Sequence, residues 1–98
     1  MIRLQRTMEV KRGKHAMTWA KELFDYMTIT HGKPTIHLFR SRFGNVSTLY
    51  WTVDFTDLEA LFKWQRHIGA DPGYLTLVKN SLDIIIEGTV KDTILESV

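Results

Sequence analysis

The chain has 98 residues, of which 44% are hydrophobic and 24% charged, and 13 basic against 11 acidic side chains leave a net charge of +2. That balance is ordinary for a folded globular chain and excludes disordered and collagen-like classes. Cysteine is absent, which removes disulfides, thiolate metal sites and cysteine nucleophiles.

A length near ~100 residues fits one domain spanning 1–98, and a chain this short buries only ~60 to 65% of its unfolded surface. Its core is therefore thin, and it gains from a partner. The first seven residues, Met1-Ile-Arg-Leu-Gln-Arg-Thr, interleave charged and apolar side chains with no signal-peptide core. No apolar run approaches the ~20 residues of a membrane span. The expectation is a cytoplasmic protein with no membrane partner. The basic side chains cluster only at Arg3, Arg6, Lys11, Arg12 and Lys14, a group that solvates a strand end and loop or, alternatively, meets phosphates.

Residues 2–10 alternate Ile2, Leu4, Met8 and Val10 against Arg3, Gln5, Thr7 and Glu9, the period of a strand with one buried face. Arg6 breaks that register by placing a guanidinium among the apolar positions. A buried arginine requires a partner. Arg6 is therefore an anion or substrate-carboxylate clamp, or one half of a salt bridge to a local acid, or it is turned outward by a change of register. Gly13 opens a predicted helix to about Thr30, on which Ala16, Met17, Trp19, Ala20, Leu23, Phe24, Tyr26 and Met27 share a wide apolar sector. Gly32 and Pro34 stop it.

Two strand-like runs follow, residues 35–43 and 46–55, joined by Gly44-Asn45, a dipeptide suited to a tight hairpin turn. A two-residue loop pairs Phe43 with Val46, Phe39 with Tyr50 and His37 with Thr52. Register then assigns faces. One face collects Ile36, Leu38, Leu49, Trp51, Val53 and Phe55, with Arg40 and Arg42 near the turn. The other presents Thr35, His37, Phe39, Ser41, Thr48, Tyr50, Thr52 and Asp54, too aromatic to stand uncovered and too polar for a dry core.

Thr56-Asp57-Leu58-Glu59 reads as a capping box opening a second helix, with Leu58, Leu61, Phe62 and Ile68 as its buried stripe, Gln65 inside it and Gly69 as its end. Asp71-Pro72 starts a third, short helix through about Asn80, anchored by Tyr74, Leu75 and Val78. Residues 82–86 read as the last buried strand, Gly88 as a bulge or bend, and residues 89–98 as a tail lying along a partner.

The order is β-α-β-β-α-β with an extra short helix, an α+β ferredoxin-like fold: a four-stranded antiparallel sheet covered by helices on one side. An uncovered face carrying His37, Phe39 and Tyr50 is an interaction surface, and a second copy is its simplest cover. These three residues are the expected dimer interface.

Four stretches carry a family resemblance: Arg6-Thr-Met-Glu-Val-Lys-Arg-Gly, Tyr50-Trp-Thr-Val-Asp-Phe leading into Thr56-Asp-Leu-Glu-Ala-Leu, Ala70-Asp-Pro-Gly-Tyr, and Glu87-Gly-Thr-Val-Lys-Asp-Thr. Over nearly its whole length the chain resembles the dimeric α/β-barrel proteins, in particular NIPSNAP-like and antibiotic-biosynthesis-monooxygenase-like small domains. The resemblance implies a homodimer in which two sheets close a barrel, with a ligand cleft between the sheet and helices of each subunit. Gly73 stands where that family often has an acidic residue.

Four histidines, His15, His31, His37 and His67, show no metal-ligand spacing, so no metal is expected. Trp19, Tyr26, Trp51 and Trp64 are either core aromatics or, with Arg6, the lining of a site for a small apolar or aromatic molecule. No nucleophile elbow, phosphate loop or paired carboxylates occur. Catalytic residues are thus not assignable. Were the chain an enzyme, the resemblance implies cofactor-independent oxygenation or isomerisation, with Arg6, His37 and Tyr50 the groups to test. RNA-recognition motifs share the topology, but the first strand lacks a stacking aromatic, so nucleic acid ranks behind a second copy.

Overall fold

The computed structural model describes residues 1–44 and 47–98. Seven elements follow in chain order: β1 (Ile2–Glu9), α1 (Ala16–His31), β2 (Thr35–Arg40), β3 (Thr48–Phe55), α2 (Leu58–Gly69), α3 (Pro72–Lys79) and β4 (Lys91–Glu96). The four strands form one antiparallel sheet in the order β2-β3-β1-β4, the ferredoxin-like arrangement. The pairings Phe39 with Tyr50 and His37 with Thr52 are observed. The Gly44-Asn45 turn and the Phe43–Val46 pair fall partly on residues 45 and 46, outside the described residues.

Strand alternation divides the sheet as its hydropathy dictates. Ile2, Leu4 and Met8 of β1 and Leu49, Trp51, Val53 and Phe55 of β3 face the helices and are buried. Ala16, Trp19, Ala20, Leu23 and Met27 of α1 join Met8, Val10, Leu49, Trp51 and Ile68 in the larger core. Leu61 of α2, with no exposed surface, closes a smaller core with Ile2, Leu4, Val53 and Phe55.

Several boundaries differ from the sequence expectation, each for a physical reason. α1 begins at Ala16 rather than Gly13, because Gly13 takes φ +77, outside the helical region. At its other end Gly32 has an ordinary φ of −84; a Cβ there would collide with the Thr28 carbonyl, so glycine is required by close approach. The cap of α2 is Asp57, whose carboxylate accepts from the Ala60 backbone N–H at 2.8 Å. The Thr56–Glu59 box therefore does not form, since the helix starts one residue later and aspartate caps it alone. Leu58 and Phe62 are 44% and 45% exposed, leaving Leu61 and Ile68 as the buried stripe of α2. On α3 Leu75 turns outward and Leu77 packs on the core beside Tyr74.

The last strand is the largest correction. Residues 82–86 do not form it: the backbone N–H groups of Ile84 and Ile85 both bond to the Ser81 carbonyl, which coils this run into turns. A single bridge, Val10 to Ile85, touches the sheet. Leu82 is 76% exposed, and Ile84 and Ile85 pack on the core from the side. Gly88, at φ +80, reverses the chain, and residues expected in a tail become β4, paired with β1 from Thr7–Lys91 to Ile2–Glu96. No helix among the described residues is long and apolar enough to cross a membrane.

Candidate functional site

β1 and β3 are central strands, so their helix-facing side chains form the floor under α1, α2 and α3. One cross-strand row on that floor reads Leu38, Trp51, Arg6, Asp92, and the next reads Ile36, Val53, Leu4, Ile94. Between this floor and the helices lies a cavity of about 750 Å³. Its walls are apolar over most of their extent, from Leu4, Met8, Leu23, Met27 and Val53 among others, and Gln65, Ser81 and Glu87 add polar groups. That volume falls within the ~300 to 1,000 Å³ typical of small-molecule pockets.

Of the five expected ligand contacts, Arg6, Trp19, Trp51 and Trp64 line this cavity. Tyr26 is not among its lining residues. The indole N–H of Trp19 donates to the Leu77 carbonyl at 2.9 Å, and that of Trp64 donates to the His31 carbonyl at 3.0 Å. Trp19 stands edge-on to Trp51, with ring centroids 6.4 Å apart. The Trp51 ring is itself buried, 8% exposed, and its Nε1–H has no hydrogen-bond partner among the described residues.

Arg6 does carry its guanidinium onto the helix-facing side, and the acid it meets is Asp92, directly opposite on β4. Nε to Oδ1 is 2.7 Å and Nη2 to Oδ2 is 2.8 Å, a bidentate pair. The hydrogen bond holds the Asp92 carboxyl below, and the guanidinium above, their ordinary values. Both side chains remain over one-third exposed, so the pair contributes ~1 kcal/mol or less to stability. Its local effect is larger: it neutralises the one arginine in the cavity wall.

Tyr26 belongs to a second cluster, where α1 meets the start of α3. Its hydroxyl donates to Asp71 Oδ2 at 2.6 Å, and His31 Nε2 lies 2.6 Å from the same oxygen. Asp71 also caps α3 by accepting from the Gly73 N–H at 2.9 Å. The Tyr26 and His31 hydrogen bonds hold the Asp71 carboxyl down at about 2, so it is an acceptor only and His31 Nε2 carries the proton. Gly73 is where it is because a Cβ would run into the Tyr26 hydroxyl and sit 2.8 Å from its Cζ. Sequence reasoning saw Asp71 only as a cap and missed His31, although His31 continues the Leu23, Met27 spacing of the buried stripe of α1. Among the described residues no group of three or more potential ligands gathers at metal-binding distance.

The opposite face of the sheet carries the rows Phe39, Tyr50, Thr7, Lys91 and His37, Thr52, Gln5, Thr93. Phe39 is 53% exposed and stacks on His37 at 5.8 Å. Arg3 clamps Asp54 through two bonds of 2.7 and 3.0 Å, and the Ser41 hydroxyl donates to the Tyr50 oxygen at 3.3 Å. Arg3 with Asp54 and Ser41 with Tyr50 are thus paired on this face, and Phe39 keeps its aromatic surface outward. His37 and Tyr50 lie here, separated by the sheet from Arg6, so the three groups singled out for catalysis do not meet in one chain.

No family model and no curated protein matches the sequence. Solved structures do match the fold. A NIPSNAP domain protein from Burkholderia xenovorans superposes with a TM-score of 0.80 at 14% identity, covering 100% of this chain and 95% of that one. A NIPSNAP family protein with unknown function from Agrobacterium tumefaciens gives 0.76 at 19% identity, covering 97% and 86%. A structure described as an antibiotic biosynthesis monooxygenase gives 0.75 at 14% identity, covering 100% and 99%. The chain accordingly has the ferredoxin-like α+β fold shared by NIPSNAP family proteins and antibiotic-biosynthesis-monooxygenase-like proteins.

Proposed function

We propose that the chain is a cytoplasmic homodimeric domain that holds a small apolar or aromatic molecule between its sheet and helices. The observation that carries this reading is the cavity of about 750 Å³ whose wall includes every tryptophan of the chain, Trp19, Trp51 and Trp64. Arg6 closes the wall on the β4 side. A thin core gives up contacts to keep such a space open, since voids forfeit dispersion energy, and an occupant restores them. A second copy covers the opposite sheet face through His37, Phe39 and Tyr50 and converts their exposed surface into a seam.

Titration with N-phenyl-1-naphthylamine, a neutral apolar fluorophore, tests the binding reading. The expected result is a blue-shifted emission that saturates at one dye per chain and quenches tryptophan fluorescence. Emission rising linearly, without saturation, would remove it.

A cofactor-independent oxygenase is the second reading, favoured by the fold shared with an antibiotic biosynthesis monooxygenase. In this chain Arg6 reaches the cavity wall already paired with Asp92, so stabilising a developing enolate or phenolate requires it to loosen that carboxylate. Dioxygen uptake above background with a polyphenolic substrate, reduced in Arg6→Met, is its test. Uptake indistinguishable from a no-protein control removes it.

A further inference from the structure

Helix α2 carries one polar side chain where its period calls for an apolar one. Gln65 lies about one turn from Leu61 and from Ile68, the two buried residues of that helix, and so shares their sheet-facing side. It is half-buried and lines the cavity. Its carboxamide has no hydrogen-bond partner among the described residues. Nor is it sealed: among the described residues the side-chain atoms that are both unpaired and stripped of accessible surface are His31 Nδ1 and Trp51 Nε1, so the Gln65 tip stays accessible. A carboxamide on the apolar side of a helix costs stability unless something hydrogen-bonds it, and methionine in its place would bury more apolar surface. Charge narrows what that something is. Arg6, the one cationic residue in the lining, is held by Asp92 through two bonds, and the lining also includes Glu87. An anion therefore finds no unpaired cation there. A carboxamide presents an acceptor and a donor side by side, and a cis-amide presents the complementary donor and acceptor at the same spacing, so the two close a cyclic pair of hydrogen bonds. A ketone or a phenol engages only half of it.

Resting on the cavity-binding reading above, we propose that the site selects neutral planar molecules carrying a cis-amide, as in a lactam or cyclic imide, and that the Gln65 carboxamide is the group that pairs with it. Gln65 is the specificity determinant in this scheme. Trp19 and Trp64, whose indole N–H groups are committed to the Leu77 and His31 carbonyls, supply apolar surface to the ring.

Isothermal titration with 2-quinolone and naphthalene, fused bicycles that differ by the lactam, isolates the pairing. Gln65→Met keeps the side chain's length and helix preference and removes both polar atoms. In this variant 2-quinolone affinity is expected to fall about thirtyfold, the effect of two neutral hydrogen bonds. Naphthalene affinity is expected to stay within about threefold, and the melting temperature to be no lower than that of wild type. In wild type labelled with ¹⁵N, the Gln65 side-chain amide protons are expected to move downfield with 2-quinolone and not with naphthalene, a readout that needs no variant. An unchanged 2-quinolone affinity in Gln65→Met, or amide protons unmoved in the wild-type 2-quinolone complex, overturns the assignment while leaving the cavity as a binding site. Binding of neither probe overturns both. Tighter binding of quinoline-2-carboxylate than of 2-quinolone also overturns it, by showing that charge rather than the neutral amide is selected.

Discussion

Phe39→Ala tests the proposed dimer separately from the fold, because Phe39 contributes little to the chain's own core. About 53% of its surface is open, which for an aromatic side chain of ~200 Å² is ~100 Å² available to a second copy. At ~25 cal/mol per Å², covering it contributes about 2 kcal/mol once the remaining Cβ is allowed for. A two-fold seam buries both copies, so the loss is ~4 kcal/mol per dimer and the dissociation constant rises about a thousandfold. Sedimentation equilibrium over a wide concentration range measures it, with circular dichroism confirming an unchanged fold. Tyr50→Arg is the companion variant, placing a cation in the same row as Lys91. A wild type that stays monomeric at every concentration, or a dimer whose constant is unmoved by Phe39→Ala, refutes the seam.

Leu61→Ala empties a fully buried site in the smaller core, and a loss of about 3 kcal/mol is expected in urea unfolding; a change below ~1 kcal/mol would mean that α2 does not pin the sheet as described. Acid should destabilise the fold through Asp71. Its carboxyl is depressed from 3.8 to about 2 by the Tyr26 and His31 hydrogen bonds, so its contribution is fully present above about pH 4 and is lost as pH falls through about 2. Melting temperatures between pH 5 and 2 should therefore fall less steeply in Asp71→Asn than in wild type. The depressed carboxyls of Asp54 and Asp92 leave part of the slope in place, and an identical slope in the variant refutes the assignment. Gly73→Ala should lower the melting temperature even though alanine favours helix by ~1 kcal/mol, because its Cβ displaces Tyr26 from Asp71. A variant as stable as wild type, with the Tyr26 hydroxyl still bound, would show that this contact yields freely.

The hairpin was legible because two constraints agreed: the two-residue period of Ile36 and Leu38 and of Leu49, Trp51 and Val53, and a turn dipeptide at 44–45, fix one register, and the observed pairs obey it. The last strand was not. Residues 82–86 are more apolar than Lys91–Glu96, so hydropathy alone prefers the wrong segment. What decides is local turn chemistry at Ser81, whose buried hydroxyl donates back to the Val78 carbonyl while its own carbonyl accepts from Ile84 and Ile85 and coils the following residues, together with the positive φ of Gly88 that aims the chain back along β1. Edge strands are also poorly announced by hydropathy, because every residue of β4 stays exposed in one chain. Its apolar Ile94 and Leu95 are half-covered only by neighbours on either face.

The site was partly legible for the same reason. Arg6 announces itself by breaking an apolar alternation, and its two candidate partners, an anion or a local acid, follow from elementary electrostatics. Which one it meets depends on the register of β4, the element that hydropathy misplaced. With β4 moved from 82–86 to Lys91–Glu96, Asp92 falls directly opposite Arg6 and the cavity loses its free cation. Three tryptophans likewise suggest an aromatic wall, but a sequence cannot tell a satisfied indole from an orphaned one. That distinction requires carbonyls contributed by distant elements: Leu77 of α3 reaches Trp19, and the α1 terminus at His31 reaches Trp64. Helix ends supply such acceptors because their last carbonyls have no partner within the helix. Trp51 lies on a central strand whose backbone groups are occupied on both edges by β1 and β2, so none of the sheet's carbonyls turns toward its ring. The absence of an acceptor at Trp51 among the described residues is thus a consequence of its position in the fold as much as of its residue type.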